Sequence, residues 1–133
     1  MAKHKIGVVG CGFVGTAVST GFQTILGDKL EVREYDKYKD TESLASVVEE
    51  SEIIFLCLPT PMNEDGSCNT SILEKVVGEI SQITYQNKLL VIKSTVPPGT
   101  TDKLSKKYNR FDFCFNPEFL TQAHFIEDFM HQD

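Results

Sequence analysis

The sequence predicts an α/β domain built on a parallel β-sheet with helices on both faces. Two patterns carry this expectation. Short apolar runs of β character occur at Lys5–Val9, Leu30–Tyr35, Ile53–Leu58, Leu89–Lys93 and Asp112–Phe115, and each is followed by residues that turn the chain or open a helix. Longer segments of helical periodicity lie between several of them. Strands of this kind alternating with helices build right-handed βαβ units, whose strands are buried on both sides. The 133 residues, 41% hydrophobic and 24% charged, suit one domain with a substantial core. Residues 1–133 are therefore expected to form a single domain.

The first strand, Lys5–Val9, leads through glycines into Phe13–Leu26, which reads as a helix. The second ends at Tyr35. Glu49, Glu50 and Glu52 form a solvated stretch before the third. After that strand, Pro59–Thr70 is the one long irregular segment, placed where open α/β sheets make ligand contacts. Ile72, Leu73, Val76, Val77, Ile80 and Ile83 recur as one apolar helical face, with Ser71 and Glu74 as a capping-box start. Pro97-Pro98-Gly99 closes the fourth strand and opens a short helix over Thr101–Tyr108.

Charge and cysteine usage narrow the function classes. With 13 Lys+Arg against 19 Asp+Glu the formal charge is −6, which argues against a nucleic-acid binder driven by a basic surface. No run approaches the roughly 18 apolar residues of a membrane span and no signal-peptide core is present, so a cytoplasmic address without membrane attachment is expected. Cys11, Cys57, Cys68 and Cys114 show neither zinc spacing nor a disulfide framework, and no metal site is expected. Cys57 and Cys114, inside apolar runs, read as small buried hydrophobes. Asn69-Thr70-Ser71 matches a glycosylation acceptor that a cytosolic chain would not use.

The strongest local signal is Gly10-Cys11-Gly12-Phe13-Val14-Gly15, a GxGxxG pattern between a strand and a helix. Gly10 permits the tight turn, Gly12 lets the backbone approach a pyrophosphate, and Gly15 allows close helix–strand packing. The phosphates then meet the free N–H groups and the positive end of the helix dipole, with Phe13 and Val14 contributing N–H groups. Asp36 lies 21 residues beyond Gly15, near the offset of an acid that accepts hydrogen bonds from the adenosine 2′-OH and repels a 2′-phosphate. NAD is therefore favoured as cofactor, although Lys37 and Lys39 could reach the 2′-phosphate of NADP. The expected fold is a Rossmann-like doubly wound parallel sheet of strand order 3-2-1-4-5. A tight turn without ligand is the plainer reading of the glycines, and a strand-end acid that of Asp36.

Further segments carry a resemblance to a family. Leu58-Pro59-Thr60-Pro61 with Asp65-Gly66-Ser67, then Lys93 to Thr100 (KSTVPPGT), then Asn116-Pro117-Glu118-Phe119-Leu120 resemble, in order and spacing, the N-terminal NAD-binding domain of the UDP-glucose/GDP-mannose 6-dehydrogenases. The resemblance implies NAD-dependent oxidation of a nucleotide sugar's C6 alcohol to a carboxylate, with two NAD per turnover. It places Leu58, Pro59, Thr60 and Pro61 on the adenosine and ribose side of the cofactor, and Ser94, Thr95 and Val96 near its nicotinamide half. Thr95, holding a water, and Glu118, as acid/base, are the implied catalytic residues; a carboxylate beside a bound water can relay a proton. Without that role, Thr95 would cap a strand and Glu118 would cap the helix after it.

Two departures qualify the resemblance. Gln122 stands where relatives carry an acidic residue against the cofactor; it can hydrogen-bond but supplies no charge. The family's central helix and C-terminal domain, with the nucleophilic cysteine and most of the sugar-nucleotide site, do not match any part of the chain. Because four-electron oxidation passes through a thiohemiacetal and thioester, the chain alone is expected not to complete the reaction. Two readings follow. One is the NAD-binding part of a nucleotide-sugar dehydrogenase, working with a separate C-terminal half or as a homo-oligomer. The other is a stand-alone, non-catalytic module that senses NAD or competes for subunits of a full-length dehydrogenase.

Overall fold

The structure is a computed structural model that describes residues 4–10, 15, 16, 18, 20, 21, 30–37 and 42–116. Its elements are β1 (His4–Val9), β2 (Leu30–Tyr35), α1 (Leu44–Glu50), β3 (Ile53–Leu56), α2 (Ser71–Ile83), β4 (Leu89–Ile92), α3 (Thr100–Lys107) and β5 (Asp112–Phe115). Residues 15, 16, 18, 20 and 21 are helical, within the segment where the first helix is expected.

All strand pairs are parallel, and the sheet order is β2-β1-β3-β4-β5. The architecture is the expected Rossmann-like α/β one, but the expected order 3-2-1-4-5 is corrected. That order would place β2 between two strands. Its sequence, LEVREY, is half polar and half-buried, and it takes the outer position where its charges reach water and one another. Arg33 donates to Glu31 at 2.8 Å and to Glu42 at 2.6 Å, which also blunts the open strand edge. The apolar IIFL of β3 sits centrally, between β1 and β4.

Register divides the sheet into two faces. Val9, Ile54, Leu56, Leu90 and Ile92 point one way and are buried against Val47 and Val48 of α1, Leu73, Val77 and Ile80 of α2, and Leu104 of α3. Each such side chain contributes about 1.5–3 kcal/mol relative to exposure. Ile6, Val8 and Val91 point the other way and are also buried. The helical residues after the glycine loop lie on that second face: a Cβ built on Gly15 would stand 3.5 Å from Val8 Cγ1.

Helix α1 precedes β3, and Glu49, Glu50 and Glu52 are exposed, as expected of a solvated stretch. Glu49 and Glu50 form the last turn of the helix. Ser43 caps its N-terminus by accepting from the Ser46 N–H at 3.2 Å. The buried ammonium of Lys88 donates to Ser51 O at 2.7 Å beyond its C-terminus, where a cation also suits the helix dipole.

Helix α2 starts one residue earlier in its capping than the expected Ser71–Glu74 box. Thr70 is the N-cap; Asn69 Oδ1 accepts from the Ser71 N–H at 2.9 Å, and the Thr70 hydroxyl donates to Glu74 at 3.1 Å. The Asx turn at Asn69 does locally what the box would have done. At the other end, Arg110 donates to the carbonyls of Ser81 and Thr84 and stacks on Tyr85 and Phe111. Helix α3 begins at Thr100 rather than Thr101, and Tyr108 is its C-cap.

Strands β3 and β4 end at Leu56 and Ile92, short of the expected Leu58 and Lys93, because the chains diverge there around a cleft. The same divergence corrects the reading of two cysteines. Cys57 is half-buried in the cleft wall, and Cys114 is exposed on β5, the outer strand of the described sheet.

Candidate cofactor site

The carboxyl ends of β1, β2, β3 and β4 converge on one region, as parallel strands of an open sheet require. Gly10 follows β1 with φ +92°, a conformation that disfavours any side chain. Its N–H donates to Tyr35 O at 2.8 Å, which ties the end of β1 to the end of β2. A Cβ on Gly10 would fall 2.4 Å from the Cys57 carbonyl oxygen, and one on Gly15 would fall 1.8 Å from the Gly10 carbonyl oxygen. Both glycines are thus required by close backbone approach, and together they let a helix begin directly behind the turn.

Asp36 and Lys37 follow β2 and, with Gly10, border a cleft of about 620 Å³. Leu58, Pro59 and Ser94 line it from the ends of β3 and β4. The opposite wall is the outer side of α2: Ile72, Lys75, Val76 and Glu79, spaced to fall on one helical face. Ile72 and Val76 belong to the apolar face expected of this helix, and that face extends past the core to form this wall. The available signal was width: the apolar positions from Ile72 to Ile83 exceed one buried stripe, and only Leu73, Val77 and Ile80 are fully buried. Lys93, 3% exposed, also borders the cleft; burial holds its ammonium below the ordinary lysine range.

The two loops above the cleft are tied by side chains. Ser94 Oγ accepts from the Leu58 N–H at 3.1 Å and donates to Leu58 O at 2.5 Å. This hydroxyl, expected near a nicotinamide, therefore has its bonds directed to the Leu58 main chain. Thr60 Oγ1 donates to Thr95 O at 2.7 Å. Thr60, Pro61 and Thr95 lie beside the cleft without lining it. The tip of the long loop closes on itself through the Met62–Cys68 bridge. There Asp65 accepts from Ser67 N at 2.9 Å and Ser67 Oγ at 2.6 Å, bonds that hold its carboxyl below the usual range.

Of the other expected site residues, Cys11, Gly12, Phe13, Val14, Glu118 and Gln122 lie outside the described residues, as does Lys39. Among the described residues, no group of three or more His, Cys, Asp or Glu side chains could hold a metal ion, and no helix is long and apolar enough to cross a membrane. The donor set fits a dinucleotide: a backbone crossing that a Cβ would fill, apolar walls wide enough for a base, and an acid after β2 for a ribose diol.

Comparison with known proteins places this geometry. A family described as "UDP-glucose/GDP-mannose dehydrogenase family, NAD binding domain" matches residues 25–133. The YtcA protein of Bacillus subtilis is 30% identical over 97% of this chain and 38% of its own length. A UDP-glucose 6-dehydrogenase of Pseudomonas aeruginosa is 32% identical over 85% of this chain and 26% of its own length. The structure of a UDP-glucose dehydrogenase from the archaeon Pyrobaculum islandicum superposes with a TM-score of 0.83 at 25% identity, covering 96% of this chain and 39% of that one. The chain thus spans between about a quarter and two fifths of the proteins it matches.

Proposed function

This chain belongs to the UDP-glucose/GDP-mannose dehydrogenase family as its NAD-binding domain, and from that premise we propose that it serves the NAD-dependent oxidation of a nucleotide sugar at its C6 alcohol. In this reading residues 1–133 are one Rossmann domain, and the sugar nucleotide is held largely by residues other than these. The observation that carries the proposal is the meeting of Gly10, Asp36 and the α2 wall around one cleft.

NAD, when bound, supplies the hydride acceptor. The work of this chain's own residues is to bind and orient it. The Gly10–Gly15 crossing lets backbone N–H groups at the start of the helix approach a diphosphate. Asp36 accepts from a ribose 2′-OH and excludes a 2′-phosphate by charge. Leu58, Pro59, Ile72 and Val76 offer apolar area to a base and keep water from it. Thr95 and Glu118 are proposed to hold a water and move its proton, Glu118 acting where burial raises its pKa toward the working pH. Gln122 is proposed to bond the cofactor without charge.

Calorimetric titration with NAD and NADP tests the binding half of this reading. Saturable binding that favours NAD is expected. Absence of binding to either, or preference for NADP, overturns it.

A further inference from the structure

The β3–β4 ladder has its backbone rung from Lys93 N to Leu56 O at 3.0 Å. Beyond it the bonds between the two chains pass to side chains. One hydroxyl, Ser94 Oγ, serves both main-chain groups of Leu58. Pro59 has no N–H to offer the next rung, and the following link is from Thr60 Oγ1 to Thr95 O. The Cys68 thiol approaches the same carbonyl at 3.6 Å and Thr60 O at 3.8 Å. The main chain at Thr95 is thus held from the long loop, by groups that approach its carbonyl and leave its side chain uncommitted to that bond.

We propose that Thr60 is a positioning residue rather than a lining residue: its hydroxyl fixes the Thr95 main chain, and through it the part of the site that receives the nicotinamide half of the cofactor, with Cys68 in a supporting role. Thr60 does not line the cleft bordered by Asp36, Leu58 and Pro59, so its removal should not disturb an adenosine bound there. The inference rests on the NAD-binding reading above.

The test compares two ligands on the purified chain by calorimetry, NAD and ADP-ribose, the latter lacking only the nicotinamide. Thr60→Val keeps the shape and removes the donor. It is expected to weaken NAD about fivefold and to leave ADP-ribose affinity unchanged, while the melting midpoint falls only by the small amount that loss of one neutral hydrogen bond brings. Thr60→Ser, which restores the hydroxyl, is expected to recover NAD affinity. Cys68→Ala should shift NAD alone and in the same direction, and serves if the valine variant does not fold. Equal weakening of both ligands, or of neither, overturns the proposal. A wild-type chain that binds neither NAD nor ADP-ribose overturns the underlying reading instead, and does so before any variant is compared.

Discussion

Gly15 approaches Gly10 so closely that a β-carbon on Gly15 would fall 1.8 Å from the Gly10 carbonyl oxygen. The obstacle is backbone, which cannot rotate away as a side chain would. Gly15→Ala therefore has to push the helix off β1, where Val8 and Val18 are both fully buried. A loss of about 1–3 kcal/mol is expected from overpacking of this kind, with NAD affinity falling alongside it. Urea denaturation and calorimetric titration of the same preparation would read both; an alanine variant with unchanged midpoint and affinity would contradict the contact.

Asp36 is expected to set the choice between the two nicotinamide cofactors. Its carboxylate would form charge-assisted bonds with a ribose diol, worth about 1.5–3 kcal/mol. Asp36→Ser should therefore weaken NAD by about tenfold or more, and it should strengthen NADP, because Lys37 follows directly at the rim of the same cleft. Titrating both cofactors into both proteins gives the ratio. An unchanged ratio would remove Asp36 from the site.

Glu74 of α2 accepts from Lys103 of α3 at 2.9 Å, and this bond, foremost among its surroundings, lowers the Glu74 pKa from 4.5. A depressed carboxylate contributes stability that is present above its unfolded pKa and lost as pH falls through the folded one. The pair is largely solvated, so the effect is small: Glu74→Gln should cost no more than about 0.5 kcal/mol at pH 7. As pH falls through the depressed folded value the two proteins should converge. Thermal melts across pH 3–7 check this, and a difference that persists in acid would assign it to packing.

Lys93 has the opposite consequence at the other end of the scale. Burial lowers its pKa from 10.5, so between the folded and unfolded values the unfolded chain binds more protons and stability rises with pH. Below that window the ammonium is charged in both states, and its burial carries a desolvation cost that exceeds what its surroundings return. Lys93→Met is expected to be more stable than wild type at pH 7, with the advantage shrinking as pH approaches 10. Paired urea denaturations at pH 7 and pH 10 measure it. A constant difference would show that the charge of Lys93 is not the cause.

What the amino-acid order determined by itself was mostly local. The strand runs needed only apolar β-formers bounded by turn residues, and the glycine turn needed only spacing, so β1, β2, β5 and the Gly10–Gly15 crossing lie where the pattern puts them. The place of Asp36 at the cleft rim was legible for the same reason, as an acid directly after a strand at a set distance beyond the glycines. Tertiary contacts decided the rest. Whether β2 lies inside or at the edge depends on which strand can keep Arg33 and two glutamates half-buried and paired at the rim, a comparison among segments rather than a property of one. Helix α1 is short and acidic at its end, and forms because Val47 and Val48 find the sheet. Ile72 and Val76 have the periodicity of core residues, but α2 sits with Ile72 exposed at the cleft and Val76 shared between the cleft and the core. The pairing of Ser94 with Leu58 and of Thr60 with Thr95 spans 36 and 35 residues. No local pattern encodes those bonds; they exist because two parallel strands diverge just where a hydroxyl on each loop can replace the missing rung.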